Sequence, residues 1–62
     1  MRELSKKLQD YLIEFINLKE GEFLIVRDNC EVLKKLRLLL LALGQNNIEI
    51  KNCEELICKK EL

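Results

Sequence analysis

The stretch FLIVRDNCEVLKKLRLLLLALG, residues 23–44, decides the fold. Phe23 to Val26 is a short apolar run with two β-branched members, set between Gly21 and the pair Asp28-Asn29. That reads as a strand, apolar on both sides. Asp28 or Asn29 can then cap a helix, with Glu31 favourable beside the positive end of the helix dipole. The helix runs to about Leu43. Gly44 supplies its stop, and Gln45-Asn46-Asn47 turns the chain.

Working outward, Leu4, Leu8, Tyr11, Leu12, Phe15 and Leu18 recur at three- and four-residue spacing before this stretch. They predict an amphipathic helix over about residues 3 to 17. Lys19-Glu20-Gly21-Glu22 breaks it, because Gly21 tolerates a positive φ. On the other side, Ile48 and Ile50 alternate with Glu49 and Lys51, the pattern of a half-buried strand. Asn52-Cys53-Glu54 makes a tight hairpin turn, and Leu56 to Lys59 a last strand antiparallel to the one before. The expected fold is α+β, a single domain over residues 1–62. It is a small two-layer sandwich with two helices on a three-stranded mixed sheet, in the order helix, strand, helix, strand, strand.

The chain is 48% hydrophobic and 35% charged, which excludes a disordered tail. Eleven basic residues balance eleven acidic ones, so there is no general attraction to nucleic acid or anionic lipid. Nucleic acid is therefore a disfavoured partner. The longest apolar run, Leu38 to Leu43, falls far short of the ~20 residues of a membrane span. The segment from Met1 to Lys7 lacks the apolar core of a signal sequence. Three cysteines, an odd count, point to free thiols and a cytoplasmic location.

The second helix has more apolar surface than one core face uses. On a helical wheel Val32, Leu33, Leu36, Leu39, Leu40 and Leu43 gather on one broad face. Leu38 and Leu41 point the other way, among Glu31, Lys34 and Arg37. The strand has the same surplus, since one face meets the helices and the other is bare. The candidate interface is Leu38 and Leu41 with the strand residues Leu24 and Val26, and the expected partner is a second copy of the chain or another protein.

Candidate chemistry is sparse. There is no histidine, the commonest metal ligand and neutral-pH acid/base. Cys30 opens the second helix, where the dipole lowers a thiol pKa, so it is the candidate reactive thiol; the alternative is a small buried residue closing the junction. Cys53 and Cys58 flank the start of the last strand. They suit a hairpin disulfide, or structural thiols, better than a metal site, which needs four ligands. Glu54-Glu55 and Lys59-Lys60 make a solvated charged hairpin rather than an acid/base pair. Neither a cofactor nor a metal is expected.

From about Leu8 onward the chain resembles the TusA-like (SirA-like) sulfur-carrier family. The resemblance rests on the first amphipathic helix, then Leu18-Lys19-Glu20-Gly21-Glu22, then a strand with Leu24 and Val26 ending at Asp28. A helix closing with Leu43-Gly44 follows, and two strands ending in Leu56-Ile57-Cys58-Lys59-Lys60. It implies two helices on one face of a mixed sheet. The family's first strand and its Cys-Pro-x-Pro carrier motif are missing, and the chain has no proline. The carrier residue thus has no counterpart here. The expected function is a non-catalytic interaction or homodimerisation module. The alternatives are a thiol-handling protein using Cys30, or a weak nucleic-acid-binding regulator similar to a winged helix that lacks one helix.

Overall fold

The computed structural model describes residues 6–61. Leu4 and the expected helix start near residue 3 lie outside them. The elements follow in the expected order: α1 Lys6–Ile16, β1 Phe23–Arg27, α2 Cys30–Ala42, β2 Ile48–Lys51 and β3 Glu55–Lys59. Two helices lie on one face of a three-stranded sheet.

Local chemistry accounts for each boundary. After α1, a turn with a bond from the Glu22 N–H to the Lys19 carbonyl (3.0 Å) puts Gly21 at φ +92°, which a side chain would strain. Asn29 caps α2, its side-chain oxygen accepting the Val32 N–H at 3.0 Å. At the other end Gly44 (φ +92°) donates to the Leu41 carbonyl and Gln45 to the Leu40 carbonyl. These are the paired bonds of a Schellman motif. The helix therefore stops at Ala42, and Leu43, expected in the core, turns outward and is 51% exposed.

The sheet order is β1-β3-β2, with Ile25 opposite Ile57 and Ile50 opposite Leu56. Every neighbouring pair is antiparallel, so the expected mixed sheet is corrected. β1 and β2 run the same way but do not touch, because β3 inserts between them. The short connection from β2 obliges β3 to run back against it, and thereby against β1 as well.

The core holds Leu8 and Phe15 of α1, Leu24 and Val26 of β1, Leu33, Leu36 and Leu40 of α2, and Leu56 and Cys58 of β3. Each leucine buried there contributes about 1.5–3 kcal/mol. Two polar clamps close this core. The buried Gln45 side chain exchanges two hydrogen bonds with the Glu61 backbone, at 3.0 and 2.9 Å. The Lys60 ammonium donates to the carbonyls of Phe15, Ile16 and Leu18 at 3.1, 2.9 and 2.8 Å, and lies 5.2 Å from the centre of the Phe15 ring. A cation at a helix C-terminus interacts favourably with the dipole and satisfies carbonyls that the helix leaves open.

Lys60→Met keeps the side-chain stem and removes the charge and its three bonds. It is expected to cost about 2 kcal/mol, read from urea unfolding, with Lys60→Arg retaining part of the loss. A cost within error of zero would show that water serves the α1 carbonyls equally well.

Candidate interaction surface

Three features stand at the surface: the bare side of the sheet, the outer side of α2, and a polar corner where α1, β1, α2 and the hairpin turn meet.

Burial along β1 alternates strictly. Leu24 and Val26 are buried, while Phe23, Ile25 and Arg27 face out. The interface role expected of Leu24 and Val26 is therefore corrected, since both lie in the core at 0% and 2% exposure. The bare face belongs instead to Phe23 (55% exposed) and Ile25 (57%), beside half-buried Ile57. One signal for this was present in the sequence. Arg27 shares the parity of Phe23 and Ile25, and a charged side chain goes to water.

The register sets the neighbours on that face. Phe23 lies opposite Lys59, Ile25 opposite Ile57 and Arg27 opposite Glu55 of β3, while on the other side of β3 Ile57 faces Glu49 and Glu55 faces Lys51 of β2. An apolar centre is thus rimmed by three cations and two anions. Arg27 Nε meets Glu55 Oε2 at 3.3 Å.

Leu38 and Leu41 are exposed as expected, at 63% and 38%. They do not join the strand. Leu38 lines a shallow apolar depression with Leu8, Lys35 and Leu39 on the helical layer. The sheet lies between that layer and Phe23 and Ile25, so Leu38 and the strand residues belong to separate apolar areas.

The polar corner is centred on Asp28. Its carboxylate accepts the Asn29 N–H (2.7 Å) and the Tyr11 hydroxyl (2.8 Å), and meets Lys7 Nζ at 3.2 Å. Its own N–H reaches the Glu54 carbonyl in the hairpin turn. The Asn29 amide first, then the Tyr11 hydroxyl and Lys7, hold the Asp28 carboxyl below its ordinary value. The same bond from Tyr11 to Asp28, helped by burial, raises the Tyr11 phenol.

Beside this corner Cys30 and Cys53 are joined by a disulfide, their Cα atoms 4.8 Å apart. Cys30, expected as a reactive thiol, is not a free thiol in this form. Of the three free thiols expected, Cys58 alone is unpaired, and it sits in the core, where burial raises its pKa. The odd count thus resolves into one buried thiol and one cross-link. Bridging positions 23 residues apart restricts the unfolded chain by about 3 kcal/mol. Among the described residues no group of three or more His, Cys, Asp or Glu side chains is placed to hold a metal ion. None of the described helices is long and apolar enough to cross a membrane.

A carboxyl whose pKa is depressed by folding stabilises the fold above its unfolded value and loses that contribution as pH falls through the folded one. Stability should therefore decline below about pH 4 in part through Asp28. Tyr11→Phe, which removes a bond to the carboxylate, should move this acid limb to higher pH, and Asp28→Asn should flatten it. Urea unfolding across pH 2–6 checks both, and superimposable limbs would remove Asp28 from the account. No protein-family model, curated protein or solved structure matches this chain.

Proposed function

We propose that this protein is a non-catalytic self-association module whose partner is a second copy of the chain, stacked on the bare face of the sheet. One observation carries the reading. Phe23 and Ile25, each more than half exposed, sit with Ile57 inside a rim of both charge signs. A rim of one sign would repel its own copy, whereas a mixed rim is self-complementary. A two-fold axis crossing the strands at Ile57 stacks β3 on β3 in opposite directions, with Glu49 the one rim charge that meets its own copy. That brings Glu55 of each copy toward Lys59 of the other, and covers Phe23 and Ile25 on both sides.

A cytoplasmic setting and a distant kinship with the sulfur carriers belong to the same reading. The kinship rests on the shared order of five elements, and extends to the fold rather than to sulfur transfer, since no residue stands for the carrier cysteine. In the cytoplasm the Cys30–Cys53 bond would be exposed to reducing thiols.

Ile25→Lys buries a charge at the centre of the stacked face and should shift the protein to monomer in sedimentation equilibrium at tens to hundreds of micromolar. Its urea midpoint should stay close to wild type, because the side chain is exposed in the monomer. Leu38→Glu, on the helical layer, should leave association unchanged. A wild-type chain that is monomeric throughout this range ends the proposal. Loss of association with Leu38→Glu but not with Ile25→Lys would transfer the interface to α2.

A further inference from the structure

β2 forms one edge of the sheet. It pairs with β3 on one side, and among the described residues nothing pairs with its other side. In an antiparallel ladder the N–H and C=O of a residue point to the same side, and that side alternates along the strand. The Lys59 N–H donates to the Asn47 carbonyl at 3.1 Å, which turns the backbone of Asn47, Glu49 and Lys51 toward β3. The N–H and C=O of Ile48 and Ile50 therefore point to the open edge. Such an edge is a template for a further strand.

The side chains along this edge are also incompletely covered. α1 packs on β1 and α2 on β3. On β1 the helices leave Leu24 and Val26 only 0% and 2% exposed. Toward β2 the helical layer thins, and Ile48 and Ile50 stay half-buried. On the bare side of the sheet Glu49 and Lys51 are exposed, two residues apart and opposite in charge.

We propose that the open edge of β2 is a second self-pairing site, where β2 of another copy continues the sheet antiparallel about a two-fold axis between the two Ile50 residues. The Ile50 backbones then exchange two hydrogen bonds, and the Ile50 side chains meet on the helical side. Glu49 of each copy lies opposite Lys51 of the other. That pair exchanges no backbone bonds, so its side chains approach closely. Opposite charges at such positions stabilise the pairing and like charges oppose it. Charge therefore fixes the register. An axis centred on Glu49 sets glutamate against glutamate, and one centred on Lys51 sets lysine against lysine. The outer edge of β1 offers no such match, because an axis at Ile25 sets Glu22 opposite Asp28. Backbone bonds supply the contact and the side chains its selectivity. A strand of four residues covers far less than the ~1,200 Å² of a stable interface, so the pair forms at millimolar rather than micromolar concentration. The site does not rest on the stacked face, since its bonds lie in the plane of the sheet. Where both act, each chain has two partners and assembly passes beyond the dimer.

The test uses the native full chain and Ile25→Lys, which removes the stacked face. Each is studied at millimolar concentration as a mixture of isotope-labelled and unlabelled copies. Nuclear magnetic resonance should show a contact between Glu49 Hα of one copy and Lys51 Hα of the other in both samples. Dilution to micromolar concentration should speed exchange of the Ile50 amide severalfold and leave that of Phe23, on the β1 edge, unchanged. In the Ile25→Lys background, Glu49→Lys and Lys51→Glu should each abolish the contact while keeping a folded amide spectrum. Mixing those two variants should restore it between unlike chains only. No contact between copies, or Ile50 exchange that ignores concentration, overturns the site. A contact of Glu49 with Glu49, or a mixture of variants that stays unpaired, overturns the register. A contact in the native chain that Ile25→Lys loses overturns its independence of the stacked face. A native chain that is monomeric at hundreds of micromolar yet shows the contact at millimolar concentration ends the stacked dimer and upholds this site.

Discussion

β3 hydrogen-bonds along both of its edges, to β1 on one side and β2 on the other, and the remaining structure depends on that insertion. Without it, β1 and β2 have no partner, since neither touches the other. β3 also contributes Leu56 and Cys58 to the core. The residues just after it secure the helical layer: Lys60 holds the open carbonyls ending α1, and Glu61 pairs with the buried Gln45 beyond α2. Most of the long-range order is thus made by the last few described residues.

The opposite end of the molecule is held by different chemistry. Asp28 gathers α1 through Tyr11 and Lys7, the start of α2 through the Asn29 amide, and the hairpin turn through its own N–H. The Cys30–Cys53 bond spans the same junction. One end of the sandwich is therefore fastened by an ammonium and an amide side chain, the other by a carboxylate and a disulfide. In a chain this small the core alone supplies only a few kcal/mol of net stability, so such fastenings decide whether the fold is populated. The corner is also where a change in solution conditions, acid or thiol, acts on the fold.

What the core does not use is left on two separate faces. Two layers bury one side of the sheet and one side of each helix. Among the described residues, Phe23 and Ile25 on the sheet, Leu38, Leu41 and Leu43 at and after α2, and Ile13 and Ile16 on α1 are left exposed. The sheet face differs from the helical one in having its apolar centre framed by alternating charges at fixed strand spacing, which gives a second copy a register as well as a contact.

By itself the sequence determined the element order, because the signals involved are local. Three- and four-residue spacing marks α1 and α2, alternation marks β2, Asn29 and Gly44 bound α2, and Gly21 opens β1. The excess apolar character of β1 and of Leu38 was legible in the same way. Which side of β1 is bare was not read, because Phe23 to Val26 shows no alternation of its own; the parity of Arg27 was the one local signal, and burial separated Leu24 and Val26 from Phe23 and Ile25. Leu43 left the core because the Schellman bonds end α2 one residue earlier than the wheel assumes. The antiparallel pairing of β3 with β1, and the pairing of Cys53 with Cys30 rather than with Cys58, came from tertiary structure alone. Each depends on which residues meet across many positions of chain, and hydrophobic periodicity records only whether a side chain is buried, not what it meets.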